Sequence, residues 1–370
     1  MEKQSFWKRP GVQTILTSLI CIAIGLLVGF IVLFIINPEG AGEAVLTILM
    51  NFMTRASHAA RLKVLGNTLA KTAPLLMCAL SVCFAYKVGL FNIGAAGQYE
   101  AGACAALAGA LLLGLPWWID ILLAAAAGAV LGIISGALKA YRNVNEVISG
   151  IMLNWITLYL TNTILTNAKE LSSPYTYPIK SVNTSALLPS GGLDKLFSNN
   201  QTVTIAIPLS ILAAIAIWFL LNKTRFGYEL MATGYNKDAA RYAGMKEKRN
   251  IIVTLAIGGA LAGIGASFMF LSGYMQWEVT QSSVPGMGFN GIAATFLGGL
   301  NPIGTIFASF FIQNITDGGA LINRMIYPSQ ISDLISGIII YLSGFVLFFK
   351  SLMNKPRKDK TERRKEAEQK

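Results

Sequence analysis

The chain has 370 residues, of which 54% are hydrophobic and 13% are charged. Soluble domains carry about a quarter of charged residues, so this composition excludes an ordinary soluble fold. The net charge of +12 lies mainly at the N-terminus, in one central loop and in the tail 354–370. Loops that flank membrane helices collect Lys and Arg in this way. Nucleic-acid binding is therefore not needed to explain the charge.

Apolar segments long enough to cross a hydrocarbon core of roughly 30 Å recur along the chain. Two shorter segments, near 288–299 and 302–316, bring their number to ten. The sequence therefore predicts an all-α fold, a polytopic bundle of about 8–10 transmembrane helices. The longer segments are 13–36, 66–86, 91–114, 117–138, 146–166, 203–222, 250–272 and 331–350.

Basic residues set the predicted orientation of the bundle. They precede the first segment and follow the last, which places both termini in the cytoplasm. Counting crossings from there puts a loop of about 167–202 outside and a loop of about 222–249 inside. We therefore divide the chain into a transmembrane domain, 1–353, and a charged cytoplasmic tail, 354–370.

The stretch 37–65 conflicts with this count. The count places this stretch on the external side of the membrane, but it contains Arg55, Arg61 and Lys63. The positive-inside tendency disfavours basic residues on that side. Two explanations remain open. Either residues 42–63 form an amphipathic helix that lies on the outer interface, or the count is wrong by one crossing.

Glycines recur at four-residue spacing, in Gly128, Gly132 and Gly136 and again in Gly259 and Gly263. Small residues at this spacing let membrane helices approach closely and gain dispersion contacts. We predict that these glycines pack helix against helix rather than bind a substrate.

Catalytic and metal-binding patterns are missing from the sequence. The four cysteines lie in apolar runs without metal-ligand spacing, and the single histidine, His58, cannot form a zinc site alone. No GxxxxGK[ST] phosphate-binding loop occurs, and no nucleophile–base pair stands out. We expect no enzyme activity, no catalytic or metal site and no cofactor in this chain. An ATP-driven process would need a separate ATPase.

Two glycine-rich segments carry polar side chains at membrane depth: residues 91–100 and residues 286–302. Polar groups there are costly and tend to face a cavity. Glycine weakens the helix locally, which is tolerated where the backbone lines water or is buried in protein. Transporters often carry such a broken segment in both halves, beside the substrate path. A hydrogen bond between helices is the alternative interpretation.

The loop 222–249 is too long for a simple connector. It places Asp238 near the start of a short helical run, where an acid favours the positive helix end. We predict that this loop contacts a cytoplasmic partner.

These motifs together resemble the permease subunits of bacterial ABC importers for simple sugars and nucleosides. Residues 67–75 and 91–98 resemble the first conserved block of that family, 145–155 resemble its NEVI…MLNY block, and 286–302 resemble its GxGFxGIAxxxLGxxxP block. Residues 224–244 resemble its cytoplasmic coupling region. The resemblance spans nearly the whole chain.

Two positions depart from the family pattern. Ala96 stands where the family often has an acid, and Met231 stands where it has an arginine in the coupling loop. The length of the chain and its loop 167–201 resemble the longer permease of nucleoside importers in Gram-positive bacteria.

The resemblance implies a multi-pass permease of the bacterial cytoplasmic membrane that imports nucleosides by alternating access. It also implies three partners: a second, nonidentical permease, an ATP-binding subunit that holds ATP and Mg²⁺, and an extracytoplasmic substrate-binding lipoprotein. Ribose or another simple sugar is the alternative substrate. An ion-coupled secondary transporter is the alternative machine, for which Glu100 and Glu146 are the only plausible buried carboxylates in the sequence.

Candidate residues follow from the chemistry of a nucleoside, whose base stacks on aromatic rings and pairs with amides. The same side chains would suit ribose. The substrate-path candidates are Phe91, Asn92, Gln98, Glu100, Asn154, Trp155, Phe289 and Asn290. The candidates for coupling to the ATPase are Arg225, Gly234, Asn236, Asp238, Ala239, Ala240 and Gly244.

Overall fold

A computed structural model describes residues 10–323 and isolated positions at 326–327, 334–335, 337–338, 341–342, 345–346, 348 and 351. The helices within 10–323, in chain order, are α1 (Pro10–Ile36), α2 (Ala41–Met50), α3 (His58–Lys87), α4 (Ala95–Leu111), α5 (Trp117–Arg142), α6 (Glu146–Leu165), α7 (Ile179–Val182), α8 (Leu193–Leu196), α9 (Ala206–Lys223), α10 (Arg225–Tyr235), α11 (Lys237–Tyr242), α12 (Glu247–Phe270), α13 (Met287–Leu297) and α14 (Pro302–Gly319).

The predicted helical membrane bundle is confirmed. Six helical stretches in the described part of the chain are long and apolar enough to cross a membrane: Leu16–Ile36, His58–Lys87, Trp117–Arg142, Glu146–Ala168, Ala206–Lys223 and Glu247–Phe270.

Two of the longer predicted segments and the predicted tail are not among these six spans. The segment 91–114 contains α4, which begins only at Ala95 and has 17 residues. The segment 331–350 is described only at isolated positions, and the tail 354–370 lies outside the described residues.

The centre of the bundle is formed by α3 and α4. Every residue of α3 from Thr72 to Ala85 is buried, and α4 is buried continuously from Ala95 to Glu100. A helix that is apolar all round belongs in the interior. Around this centre, α12 packs against α3, α4 and α5, while α1, α5, α6 and α9 expose apolar side chains.

The glycine spacing packs helices, as predicted. A Cβ atom on Gly128 or on Gly259 would overlap the backbone carbonyl of the other residue, and one on Gly263 would overlap the carbonyl of Ala124. Gly132 lies in the same way against the carbonyl of Leu255. The axes of α5 and α12 therefore approach closely along their length.

A single amphipathic helix over 42–63, one of the two explanations left open for this stretch, is wrong. Asn51, with φ of 39°, follows the end of α2, and a 3₁₀ turn separates that helix from α3. Ser57 caps α3, since its Oγ accepts a hydrogen bond from the Ala60 N–H at 3.1 Å. Arg61 and Lys63 are therefore exposed residues of the first turns of α3.

The bundle has two ends. We call the end that carries residues 167–203 the cap end. These residues lie beside the start of α3, since the Asn200 amide donates to the Lys63 carbonyl at 3.0 Å. At the coupling end, residues 223–249 lie beside the end of α3, where Gly234 abuts the backbone of Val88. The basic start of α3 thus shares an end with the loop 167–202, so an error of one crossing does not explain its charge.

Candidate functional site

The first glycine-rich segment forms the turn between α3 and α4. Asn92 is buried there, and its Nδ2 donates to Ser81 Oγ on α3 at 2.9 Å and to Gln98 Oε1 on α4 at 2.8 Å. Phe91 is half-buried. The structure thus brings together the candidates Asn92 and Gln98. Ser81, which sequence reasoning missed, is the hydroxyl that holds them against α3.

Asn154 on α6 binds the start of α4. Its Oδ1 accepts a hydrogen bond from the Gly97 N–H at 2.7 Å, and its Nδ2 donates to the Ile93 carbonyl at 3.2 Å. Helix N-termini leave N–H groups without helical partners, and Asn154 satisfies one of them. In this structure Asn92, Gln98 and Asn154 therefore make hydrogen bonds that join α3, α4 and α6. Their contact with a substrate stays a prediction.

Glu100 lies one turn further along α4 and is fully buried. Neither of its carboxylate oxygens has a hydrogen-bond partner among the described residues. Thr161 on α6 donates to its backbone carbonyl at 3.5 Å, which places Glu100 at the seam between α4 and α6. A buried acid without a partner is costly, and inside a membrane protein it marks a candidate functional group.

Glu100 and Glu146 are not the only carboxylates inside the bundle. The prediction that they are the only plausible buried carboxylates is therefore wrong. Glu146 pairs with Lys139 at 2.8 Å. Asp120 is fully buried without a hydrogen-bond partner in the described residues, and the Asp317 side chain is only 12% exposed. Sequence position near a segment end did not reveal this burial, because the packing of neighbouring helices decides it.

The second glycine-rich segment packs directly against the first. Gly288 at the start of α13 abuts Ala96, since a Cβ atom on Gly288 would overlap the backbone and Cβ of that residue. Thr295 Oγ1 donates to the Ala79 carbonyl of α3 at 2.7 Å. Both glycine-rich segments thus contact α3. Phe289 is 38% exposed and Asn290 is half-buried.

Trp155 lies on a different face of α6 from Asn154. It is 43% exposed, against 2% for Asn154, and its ring stacks on that of Tyr159 with centroids 6.3 Å apart. The structure therefore does not bring Trp155 to the start of α4. It belongs to an exposed apolar face that comprises Ile148, Ile151, Met152, Trp155, Ile156, Tyr159 and Leu160.

The coupling candidates lie on two short helices, α10 and α11. Asn236 caps α11, since its Oδ1 accepts from the Ala239 N–H at 3.0 Å. Asp238 lies in the first turn of α11, as predicted, and Gly244 follows its end with φ of +79°. Ala240 is buried, whereas the other candidates on this surface, Arg225, Asp238 and Ala239 among them, are exposed.

A cavity of about 370 Å³ opens between α10 and α11. Met231 lines it, so the position that departs from the family pattern contributes an apolar wall rather than a charge. Tyr235 also lines it and is 90% exposed. The full lining is Tyr228, Met231, Ala232, Tyr235, Asn236, Ala239, Ala240, Ala243 and Met245.

Two contacts join this surface to the centre of the bundle. Gly234 abuts Val88 and Gly89, in the turn that leads to Asn92. Asn250 on α12 donates to Thr233 Oγ1 on α10 at 2.8 Å. Sequence reasoning missed Asn250, whose only signal was an amide near the start of an apolar segment.

Comparison with known proteins identifies the class. Residues 64–344 match the family described as "Branched-chain amino acid transport system / permease component". The chain belongs to this family and is a multi-pass membrane permease component, so the resemblance seen in its motifs is confirmed.

Three relatives make the similarity more specific. The guanosine ABC transporter permease protein NupP of Bacillus subtilis is 34% identical over 302 residues, which cover 79% of this chain and 84% of NupP. The nucleoside ABC transporter permease protein NupB of Lactococcus lactis subsp. cremoris is 31% identical over 357 residues, 93% of this chain and 94% of NupB. A second guanosine permease protein of Bacillus subtilis, NupQ, is 28% identical over 267 residues, 69% of this chain and 82% of NupQ.

Proposed function

We propose that this chain is one permease subunit of an ABC importer that moves nucleosides into the cell by alternating access. The names of NupP and NupB support the nucleoside substrate. One observation carries the mechanism: Gly234, on the coupling surface, abuts the turn that holds Asn92. A movement of α10 can therefore be transmitted directly to the turn that holds Asn92, with no other helix between them.

The coupling end faces the cytoplasm in this proposal. Cytoplasmic loops collect Lys and Arg, and the loop at this end is rich in both. Its basic residues are Lys223, Arg225, Lys237, Arg241, Lys246, Lys248 and Arg249.

Coupling then takes two routes. When ATP closes the partner ATPases, α10 and α11 move and push on Val88 and Gly89. The Asn250–Thr233 hydrogen bond carries the same movement into α12. Asn92 and Gln98 lose their present partners and become free to bind the substrate on one side of the membrane at a time.

Substrate chemistry fits the groups around the start of α4. Amides pair with the edges of a nucleobase, and the unpartnered carboxylate of Glu100 is an acceptor for N–H or hydroxyl donors. Trp155 and Tyr159 lie on the outside of the subunit, so a path that includes them runs along the border with the second permease. There their rings would stack on the base.

The proposed partners follow from what this chain lacks and from its relatives. ATP and Mg²⁺ bind on a separate ATP-binding subunit, because the sequence has no phosphate-binding loop. Bacillus subtilis has two nonidentical guanosine permease proteins that resemble this chain, which supports a nonidentical second permease. A substrate-binding lipoprotein would deliver the nucleoside at the cap end.

Uptake of radiolabelled guanosine, uridine and ribose, in cells with and without this gene, tests the proposal. We expect nucleoside uptake to be lost and ribose uptake to be unchanged. Loss of ribose uptake alone would overturn the substrate. Nucleoside uptake that survives vanadate but collapses with an uncoupler would overturn the ATP-driven machine in favour of ion coupling.

A further inference from the structure

An ion pair lies within the bundle, away from the candidate site. Lys71 on α3 and Asp317 on α14 are joined by 2.9 Å between Nζ and Oδ1, and their side chains are 25% and 12% exposed. Charged groups inside a membrane span are costly, so those that occur are paired and have a role in most cases.

The Asp317 carboxylate holds two further donors. Thr68 Oγ1 donates to its Oδ2 at 2.9 Å, and Gln313 Nε2 donates to its Oδ1 at 3.0 Å. The Lys71 ammonium also lies 4.9 Å from the centre of the Tyr274 ring, within range of a cation–π contact. Both charges are therefore held by neighbours on α3, on α14 and in the segment that follows α12.

A buried amide extends the same network to the end of α2. Asn51 Nδ2 donates to Thr68 Oγ1 at 3.0 Å and to Asn314 Oδ1 at 3.1 Å. The Asn314 amide in turn donates to the Leu49 carbonyl at 3.0 Å. These hydrogen bonds join the end of α2, α3 and α14, and so support the observed register of α3 against α14.

The register of α3 matters for the candidate site. Ser81, which holds Asn92, lies ten residues beyond Lys71 on the same helix, a distance of about 15 Å along the axis. Every residue from Thr72 to Ala85 is buried, so this part of α3, which contains Pro74, is packed on all sides. A shift of α3 along its axis at Lys71 would therefore move Ser81 as well.

We propose that Lys71 and Asp317 are positioning residues for transport. Their ion pair fixes α3 against α14, and through α3 it places Ser81 and Asn92 in the first glycine-rich segment. This inference rests on the proposed transport function. The alternative is that the ion pair only stabilises the fold. In that case an apolar pair of similar volume would replace it without loss of transport.

The test uses the complete importer in cells that lack the chromosomal gene. Lys71→Asp and Asp317→Lys are made singly and together, beside the apolar pair Lys71→Met with Asp317→Leu. Membrane amount and the KM and maximal rate of nucleoside uptake are measured for each. Lys63→Asp is the matched control, because Lys63 is an exposed lysine of the same helix.

We expect each single charge reversal to lower uptake at least tenfold, and the exchanged pair to recover it to within threefold of the wild type. The apolar pair should reach the membrane in wild-type amount with KM raised at least fivefold, because it lacks the attraction between opposite charges that fixes α3 against α14. Lys63→Asp should change uptake less than twofold.

Two outcomes overturn the inference. One is an apolar pair with wild-type KM and rate, which would make the ion pair merely structural. The other is an exchanged pair that reaches the membrane but stays as inactive as the single variants. Failure of the wild-type importer to take up nucleosides counts instead against the proposed function. In that case the amount of the exchanged pair in the membrane, compared with that of the single variants, still tests whether Lys71 and Asp317 pair.

Discussion

Two carboxylates in the interior of this chain, Asp317 with a side chain 12% exposed and the fully buried Glu100, have opposite surroundings. Asp317 has an ammonium, a hydroxyl and an amide as partners, whereas Glu100 has no hydrogen-bond partner for either oxygen among the described residues. The cost of burying an acid is met for Asp317 by neighbours that fix two helices together. No neighbour in the described chain offsets the cost of burying Glu100. The comparison separates a group whose partners hold two helices together from a group whose oxygens have no hydrogen-bond partner among the described residues.

Asp317→Leu should have the largest effect. It leaves the Lys71 charge, on a side chain that is 25% exposed, without its counterion. Removing one partner of a buried ion pair destabilises folded proteins by about 3–5 kcal/mol. We expect little of this variant in the membrane and a lower midpoint of thermal unfolding in detergent. A variant that unfolds at the wild-type temperature would remove the contrast between Asp317 and Glu100.

Gly234→Ala should come next. Its Cβ would overlap the Val88 carbonyl, so α10 must move away from the turn that holds Asn92. We expect uptake to fall about a hundredfold, equivalent to about 2.7 kcal/mol, while ATP hydrolysis by the importer continues. Gly42→Ala in α2 is the control, since nothing lies within 4 Å of its Cβ position. Uptake that stays at wild-type level in Gly234→Ala would contradict the proposed coupling route.

Glu100→Gln tests the other half of the comparison. The amide keeps the shape of the side chain but replaces one acceptor oxygen by a donor. We expect an unchanged amount in the membrane and about tenfold weaker nucleoside uptake, equivalent to about 1.4 kcal/mol. Asp120→Asn is the matched control, a second buried acid without a hydrogen-bond partner in the described chain but not at the start of α4. Equal losses in both variants would argue against a special role of Glu100.

Asn92→Ala should have the smallest effect of the four. It removes the hydrogen bonds to Ser81 and Gln98, each worth about 0.5–1.5 kcal/mol. We expect uptake to fall about three- to tenfold at normal membrane amount, mainly through a higher KM. Asn167→Ala serves as control, because Asn167 is exposed and donates only within its own turn. A normal KM for Asn92→Ala would remove Asn92 from the substrate path.

The sequence predicted most where the cause is local. Apolar length alone indicated the membrane helices, and four-residue glycine spacing indicated the α5–α12 contact. Asn236 and Asp238 lie at the start of a short helix, as their side chains favour. The family motifs led to the permease class, which the comparisons confirm.

Prediction failed where a residue's surroundings come from distant segments. The helix expected over 42–63 breaks at Asn51, which bonds Thr68 and Asn314. The list of plausible carboxylates included Glu146, which is ion-paired, and omitted Asp120 and Asp317. No pattern within a single segment reports whether a side chain will meet a partner 246 residues away, as Lys71 does.

The sequence by itself determined that this is a helical membrane protein of a permease type, because hydrophobic length, helix capping and motifs act within one segment. Only the tertiary structure decided which polar groups are satisfied and which are left free. It paired Lys71 with Asp317, joined Asn92 to Ser81, placed Gly234 against the turn before Asn92 and left Glu100 without a partner in the described chain. Such pairings depend on the register between helices, and that register is set by packing throughout the bundle.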